Sequence, residues 1–304
     1  MSIGSGYGKT ILFGEHFVVH GLPALVAGLQ WTTTASVQIQ SVPEIIILDQ
    51  RPRIAGFLEH KQRAYHQMVK NILDCLKITN GIHITLAGDL VVTSGGIGAS
   101  AAAAVAITRA LNALYNLKLS DQEINTIALQ GERAVHGNPS GIDNTAATYG
   151  GLFLFQKNHS PHFFKSTRLV EIVLIDSGFT TPTAQVIAKV AEERKNDPEK
   201  FDRLVHEYMS LMHEVHQTLS NNDLPFLGLL MRKNHTLLQQ LGVSTPELDA
   251  MVTLAERAGA LGAKITGTGC GGLILALTPG VLQKKVATFF QARGYKTLQV
   301  TIQL

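Results

Sequence analysis

The first half of the chain alternates between strand-like and helix-like hydrophobic patterns. Residues 10–40 are rich in β-branched and aromatic side chains and predict two or three strands, with HGLP at 20–23 as a turn. Residues 60–77 have apolar positions at helical spacing, and IHITLAGDLVV at 82–92 alternates like a strand. A glycine-rich turn then leads directly into a strongly helix-forming run that begins near Ala99.

A further helix in this half is marked by its end signals. Ser120 and Glu123 form the S-x-x-E pattern of a capping box, and Gly137 followed by Pro139 indicates the helix stop. The strand GGLFLF, which ends at Phe155, closes the first half.

The second half has a different order of elements. VEIVLIDSG at 170–178 predicts a strand, and helical patterns then run from about Pro182 to Leu241. AKITGTGCGGLILAL predicts two short strands around a glycine-rich turn, followed by a helix across 280–293 and a final strand, KTLQVTI. Strand, helices, two strands, helix and strand is the order of an α+β sandwich with an antiparallel sheet.

Length and composition fit two folded domains. A chain of 304 residues is long for one core, and 45% of its residues are hydrophobic. We place the boundary near residue 168, which gives an N-terminal domain of residues 1–167 and a C-terminal domain of residues 168–304. The formal net charge is only +3, and no run of Lys and Arg carries interleaved aromatic residues, so nucleic acid is not an expected partner.

Cysteine content and hydropathy favour a cytoplasmic protein. The chain has only two cysteines, which argues against a disulfide framework. The apolar stretch after Lys9 is interrupted by Glu15 and His16, so we expect no signal peptide, and no apolar run has the length of a membrane span. The chain ends in Ile-Gln-Leu rather than the peroxisomal S-K-L. The oligomeric state stays open, and a homodimer is compatible with the sequence.

Two short segments look like phosphate-binding loops. GSGYGKT at 4–10 lacks the Walker spacing, because only three residues separate Gly4 from Gly8, and the residues after it predict a strand instead of a helix. SGGIGAS at 94–100 leads from a strand into a helix, whose first N–H groups and positive dipole end favour an anion. Its three glycines allow close backbone approach, whereas a plain turn would need only one. We therefore assign phosphate binding to 94–100, and Lys9 needs another role.

Two acidic residues follow this loop. Glu132 shares a helix face with Ile124 and Ala128, and a carboxylate on an apolar face is costly unless it is paired or binds a cation. A structural ion pair is one explanation, and Mg²⁺ shared with Ser100 and the phosphates is the other, which the oxygen ligands favour. Asp143, near the end of HGNPSGIDN, reads by itself as a turn or cap residue and gains weight from Glu132.

Four segments, in chain order, carry a family resemblance. GKTILFGEHFVVHG, GGIGASAA, GERAVHGNPSGIDN and KITGTGCGG resemble the motifs of the GHMP small-molecule kinases, and among them those of mevalonate kinases, particularly from trypanosomatid protozoa. The resemblance spans nearly the entire chain, and HGNPSGIDN is its most specific part. It implies a two-domain α+β fold: an N-terminal α/β domain of the ribosomal-protein S5-like type, a C-terminal ferredoxin-like α/β sandwich, and an active site between them.

The activity that the resemblance implies is Mg²⁺- and ATP-dependent phosphorylation of the primary 5-hydroxyl of mevalonate, and it assigns roles to individual residues. Asp143 matches the catalytic base, Lys9 matches a lysine beside that aspartate and the transferred phosphate, and Glu132 matches a magnesium ligand together with Ser100. The ATP phosphate loop is matched by Ser94, Gly95, Gly96, Ile97, Gly98, Ala99 and Ser100. The mevalonate site is matched by Glu15, His16, Asp143, Gly267 and Thr268.

Some positions depart from the family pattern. Tyr7 stands where a proline usually occurs, and Thr93 and Ser94 replace a segment that often begins with proline. Ala99 replaces the first serine of GLGSS, but it leaves the backbone N–H donors intact, so we expect phosphate binding to survive. Cys270 replaces a glycine and adds a side chain that alters substrate fit or sensitivity to oxidation.

Two alternative functions stay open at this point. One is another kinase of the same superfamily, acting on phosphomevalonate or a different small hydroxy acid, and a phosphorylated acceptor would require extra basic residues. The other is a catalytically inactive ligand-binding protein on the same fold. The presence of Lys9, Ser100, Glu132 and Asp143 argues against the inactive protein.

Overall fold

Two long strands near the start of the chain, β1 (Ser2–Phe13) and β2 (Ala24–Gln40), pair with each other and continue from one unit of the fold into the other. The structure, a computed structural model, describes residues 1–52, 61–91, 96–165 and 168–304. Its first unit comprises residues 1–10 and 27–151, and its second unit comprises residues 11–26 and 152–304.

Within the described residues, the first unit combines a sheet with four helices. Its remaining elements are β3 (Ile45–Asp49), α1 (Lys61–Leu76), β4 (Gly81–Gly88), α2 (Ala99–Tyr115), α3 (Asp121–His136) and α4 (Ile142–Tyr149). The strand order is β3-β4-β2, with β1 pairing β2; β3 and β4 run parallel, whereas β2 and β4 run antiparallel. Alternate residues of these strands, such as Val37 and its neighbour Ile84, are buried on one face and form the core of the unit.

The glycines of GSGYGKT serve packing. A Cβ atom on Gly6 would lie 2.4 Å from the carbonyl oxygen of Ala102, and one on Gly4 would lie 2.3 Å from that of Ala106. Strand β1 therefore lies directly against the alanine-rich helix α2, and side chains at these two positions would separate them. The segment is strand throughout, which confirms that it is no Walker loop.

Helix α3 begins and ends where its signals predicted. The Ser120 side chain accepts a hydrogen bond from the Glu123 N–H, and the Glu123 carboxylate accepts one from the Ser120 N–H. Gly137 forms the C-cap with a φ of 67°. The capping box and the glycine together fix the length of the helix that carries Glu132.

The second unit contains a four-stranded antiparallel sheet in the order β10-β7-β9-β8. Its elements are β5 (Leu152–Phe155), β6 (His162–Phe163), β7 (Leu169–Asp176), α5 (Thr183–Asn196), α6 (Pro198–Asn221), α7 (Leu224–Gln240), α8 (Pro246–Ala258), β8 (Gly262–Thr266), β9 (Leu273–Leu277), α9 (Val281–Gln291) and β10 (Thr297–Gln303). From β7 onward, the order strand, helices, two strands, helix, strand is ferredoxin-like, as the sequence predicted.

The compact units do not follow the boundary placed near residue 168. The second unit already includes residues 152–165, and it also takes residues 11–26 from the start of the chain. The division into an N-terminal domain of residues 1–167 and a C-terminal domain of residues 168–304 stays a prediction. In the described part of the chain, no helix is both long enough and apolar enough to span a lipid bilayer.

Candidate active site

Lys9 lies near the middle of β1, and only 5% of its surface is exposed. Its backbone N–H donates to the carbonyl oxygen of Ile97 at 2.9 Å, which ties the strand to the start of α2. Gly98 has a φ of 70°, and a Cβ atom there would lie 3.0 Å from the Lys9 Cγ. Glycine at this position therefore provides both the left-handed backbone and the space for the lysine stem.

The predicted phosphate loop is described from Gly96 onward; Thr93, Ser94 and Gly95 lie outside the described residues. Gly96, with a φ of 92°, and the N-cap Gly98 lead into α2, which begins at Ala99 as predicted. No acidic side chain lies in the first turn of α2. Its first N–H groups are therefore the donors that an anion would need.

Glu132 is buried on the core-facing side of α3, together with Ile124 and Ala128, as its spacing predicted. The Ser100 hydroxyl donates to its Oε2 at 3.2 Å, and the His136 Nε2 lies 3.7 Å from the same oxygen. Burial, and then the charge of Asp143, raise the pKa of Glu132 to about 8.

The surroundings of Glu132 fit a bound cation. Its Oε1 is buried without a hydrogen-bond partner, and no lysine or arginine of the described residues is within ion-pair distance of the carboxylate. Within the described residues, the ion-pair neighbour of this carboxylate is His136, which is about half exposed and carries a charge only when protonated. The described residues contain no group of three His, Cys, Asp or Glu side chains suited to a metal. A cation here would need further oxygen ligands, such as phosphates or water.

Asp143 lies beside Lys9 in the first unit. Helix α4 begins after Gly141, whose φ is 91°, and Asp143 is in its first turn. The Asp143 Oδ1 is 3.2 Å from the Lys9 Nζ, and the aspartate is about one-third exposed whereas the lysine is buried. Lys9, Ser100, Glu132 and Asp143 thus form one cluster, because the charges of Lys9 and Asp143 both act on Glu132.

Glu15 and His16 lie in the second unit, directly after β1. Glu15 is buried and forms an ion pair with Lys264, which has no exposed surface. The Lys264 Nζ also donates to the carbonyl oxygen of Ile265 at 2.8 Å. A buried carboxylate and a buried ammonium are tolerated in a protein interior because each neutralises the other.

His16 is held by the second predicted substrate segment. Its Nε2–H donates to the Thr268 carbonyl oxygen at 2.5 Å, and its backbone has a φ of 61°, which is uncommon for a residue other than glycine. Burial lowers the pKa of His16, although the bond to Thr268 opposes that shift. The imidazole is therefore neutral at pH 7, and its buried Nδ1 has no hydrogen-bond partner among the described residues.

The glycine-rich turn that follows β8 holds Gly267 and Thr268. Gly267 has a φ of 85°, and the Thr268 hydroxyl is 3.0 Å from that of Thr183. Cys270, which stands where the family pattern has a glycine, has a φ of 50°, in the left-handed region that glycine adopts most readily. The structure thus brings Glu15, His16, Gly267 and Thr268 into one part of the second unit.

Three residues of these surroundings were missed in the sequence. Lys264 lies in the segment KITGTGCGG, and the signal that could have found it is a lysine in a strand of otherwise buried residues. Tyr208 is fully buried, stacks on Phe17 with ring centroids 4.1 Å apart, and donates to the Pro23 carbonyl oxygen. His136 approaches both Ser100 and Glu132. Nothing local distinguishes Tyr208 or His136 from surface residues of their helices.

Comparison with known proteins identifies the family. Residues 62–151 match the family model of the GHMP kinases N terminal domain, and residues 211–296 match that of the GHMP kinases C terminal domain. The mevalonate kinase of Thermococcus sibiricus is 31% identical over 316 residues, covering 96% of this chain and 93% of the relative. This chain is a member of the GHMP kinase family, an ATP-dependent small-molecule kinase with the two-domain fold of that family.

Two solved structures of mevalonate kinases are similar to this chain over nearly its full length. The crystal structure of L. major mevalonate kinase in complex with R-mevalonate has a TM-score of 0.94 and 37% identity, covering 100% of this chain and 96% of that one. The Methanococcus jannaschii mevalonate kinase has a TM-score of 0.83 and 26% identity, covering 99% and 98%. The resemblance to the mevalonate kinases, first drawn from four motifs, is confirmed.

Proposed function

We propose that this protein is a mevalonate kinase, which transfers the γ-phosphoryl group of ATP to the primary 5-hydroxyl of mevalonate and gives 5-phosphomevalonate. The observation that carries this proposal is the contact of 3.2 Å between the Lys9 Nζ and the Asp143 Oδ1, in the cluster that also holds Ser100 and Glu132. Phosphoryl transfer needs positioning and charge neutralisation more than covalent catalysis, and this pair supplies both.

The ATP phosphates are assigned to the loop from Ser94 to Ser100, through the N–H groups at the start of α2. Ser100 and Glu132 would hold Mg²⁺ together with phosphate oxygens, and the bound cation would neutralise charge on the transferring phosphoryl group. This assignment is supported by the buried, unpartnered Glu132 Oε1. Burial and the nearby charge of Asp143 raise the pKa of Glu132 to about 8, and a bound cation would favour the ionised carboxylate there.

The acceptor residues are proposed one by one, from the positions that match the family pattern. Asp143 orients the primary hydroxyl and takes its proton, while Lys9 offsets charge on the phosphoryl group. Glu15, His16, Gly267 and Thr268 bind the rest of mevalonate. The neutral His16 suits this role, because its Nε2–H is used by Thr268 and its Nδ1 is left to accept a hydrogen bond from a substrate hydroxyl.

Further aspects of the proposal concern the chain as a whole. Its location is proposed to be cytoplasmic, in keeping with its two cysteines, both of which are free thiols. We assign the catalytic cation and nucleotide chiefly to the predicted N-terminal domain of residues 1–167. Neither a membrane nor a nucleic acid is proposed as a partner, and a homodimer stays compatible with the chain.

A coupled assay of ADP release tests this function. The acceptors are mevalonate, phosphomevalonate, homoserine and galactose, each with ATP, and with Mg²⁺ or with EDTA. We expect turnover with mevalonate that requires Mg²⁺. Asp143→Asn is the matched control, because it keeps the volume of the side chain and should lower kcat by about 10²- to 10⁴-fold. Clear turnover of another acceptor with none of mevalonate would refute the proposal.

A further inference from the structure

Arg51 is a buried cation that the proposed mechanism does not use. It follows β3, belongs to the first unit, and has only 2% of its surface exposed. An arginine is rarely buried to this extent unless its charge is paired and its N–H groups are satisfied. Its position so far inside the unit therefore needs an explanation in terms of its contacts.

The guanidinium of Arg51 is hydrogen-bonded on every nitrogen. The Nε and Nη2 atoms donate to the two carboxylate oxygens of Asp49 at 3.0 and 2.8 Å, in a bidentate pair. The Nη2 atom also donates to the Tyr65 hydroxyl at 3.1 Å, and Nη1 donates to the Thr33 hydroxyl at 3.3 Å. These contacts fix the plane of the guanidinium relative to strands β2 and β3 and to helix α1.

Arg51 also contacts the first turn of helix α2. Its Nη1 donates to the carbonyl oxygen of Ala99 at 2.8 Å, and Ala99 is the first residue of α2. Ser100 follows immediately, and Gly98 is the N-cap. Arg51 thus connects the sheet and α1 to the helical turn that carries the proposed phosphate donors.

The charge of Arg51 has a second consequence at this helix end. Burial would lower the pKa of its guanidinium, but hydrogen bonding to Asp49 and the negative charges around it raise the pKa above the ordinary value. Cations are normally unfavourable near the N-terminus of a helix, and α2 has no acidic residue in its first turn to offset one. The Asp49 carboxylate, which binds Arg51 through both of its oxygens, offsets this charge instead.

We propose that Arg51 is a positioning residue for nucleotide binding, which holds the first turn of α2 through the Ala99 carbonyl so that its N–H groups and Ser100 meet the ATP phosphates. The inference rests on the proposed function, since it takes the ATP site to be at this turn. Arg51 touches no reacting atom in this proposal. It acts through Ala99, and the planar fork of the guanidinium is what joins that carbonyl to Asp49.

The double variant Asp49→Asn with Arg51→Met tests the positioning role of Arg51. It removes both charges together, so no unpaired charge is left in the interior. We expect the dissociation constant of ADP with Mg²⁺, measured by titration calorimetry, and the KM for ATP to rise about ten- to a hundredfold. The KM for mevalonate should stay unchanged. Arg51→Lys keeps the charge without the fork and should be impaired in ADP binding as well.

Arg109 provides the matched control. It lies in α2, the helix that Arg51 contacts, but far along that helix from the phosphate loop. Its side chain donates to the backbone oxygens of Ser5 and Thr148 at 2.9 and 2.8 Å and pairs with Asp121. Arg109→Met should lower the melting temperature and leave ADP affinity unchanged. A merely structural role for Arg51 would make the two sets of variants alike.

The outcomes separate this inference from the proposed function. If the wild-type protein binds ADP but phosphorylates no mevalonate, the proposed function fails, whereas weaker ADP binding in the Arg51 variants still supports the positioning role. If the wild-type protein is active and the double variant binds ADP as Arg109→Met does, the inference is wrong. The inference would also be wrong if Arg51→Lys bound ADP as tightly as the wild-type protein does, because a positive charge alone would then suffice.

Discussion

Glu132 is a carboxylic acid in a place that does not suit a carboxylate. Its raised pKa means that the folded protein, without a cation, binds a proton more tightly at this group than the unfolded chain does. The free energy of unfolding therefore falls as the pH rises from about 4.5, the unperturbed value, to about 8. Each pH unit in that window costs about 1.4 kcal/mol at most.

Glu132→Gln should remove this cost. In EDTA and without nucleotide, we expect the variant to match the wild-type protein near pH 5 and to exceed its free energy of unfolding by a few kcal/mol near pH 8, measured by urea denaturation. Binding of ADP with Mg²⁺ should weaken severely in the same variant. A gain in stability together with a loss of binding would indicate that the Glu132 carboxylate serves to bind a cation and does not stabilise the fold.

The control for Glu132 is Glu123→Gln on the same helix. Glu123 is exposed, and its hydrogen bonds with Ser120 lower its pKa, so its replacement should reduce stability above the unperturbed pKa. The two variants should thus shift stability in opposite directions. If Glu132→Gln instead melts early and keeps its affinity for Mg²⁺, the metal assignment is wrong.

At the scale of elements, local patterns predicted most of the helices and strands, because their signals lie within a few residues. The capping box at Ser120, the helix stop at Gly137 and the burial of Glu132 are all present. Helix α4 was not predicted, since its eight residues begin inside HGNPSGIDN, which reads as a loop. The edge strand β3 was not predicted either, because it is only five residues long and gives a short hydrophobic pattern.

The residues of the candidate site could be predicted where they lie within a recognisable sequence motif. They could not be predicted where two interacting residues are far apart in the chain and match no motif. Lys9 and Asp143 are far apart in the chain, and their likeness to a family motif placed them together before the structure showed the contact. The pairing of Lys264 with Glu15 cannot be predicted from local patterns, because the two residues are 249 positions apart in the chain. Spacing rules describe one helix or strand, whereas such pairs depend on the topology of the fold.

Glu15, which follows β1, forms a buried ion pair with Lys264 of β8 inside the second unit. Lys264→Met should lower the free energy of unfolding by about 3–5 kcal/mol, because it leaves the Glu15 carboxylate buried without a cation. Adding Glu15→Gln should recover most of that loss, measured by urea denaturation of both variants. Lys233→Met, which breaks an exposed pair with Glu214, is the control and should cost about 1 kcal/mol or less. Equal losses in all three variants would contradict a neutralising role for Lys264.

At the scale of the whole molecule, the second unit is not a continuous piece of chain. It takes residues 11–26 from the region after Thr10, and those residues supply contacts that its helices need. Phe17 stacks on the buried Tyr208, the Pro23 carbonyl accepts from the Tyr208 hydroxyl, and Glu15 neutralises Lys264. A boundary near residue 168 would cut all of these contacts.

The predicted C-terminal domain should therefore fail to fold alone. Residues 168–304, expressed as a fragment, would keep Lys264 buried without Glu15 and Tyr208 without Phe17, each a loss of several kcal/mol against a typical stability of about 5–15 kcal/mol. We expect no cooperative transition of the fragment in urea, whereas the full chain unfolds cooperatively. A peptide of residues 11–26, added to a fragment of residues 152–304, should restore near-ultraviolet circular dichroism, and the same peptide with Glu15→Gln and Phe17→Ala should not. A sharp sigmoidal transition of fragment 168–304 by itself would show instead that residues 11–26 are dispensable, and the sequence boundary would then be a folding boundary as well.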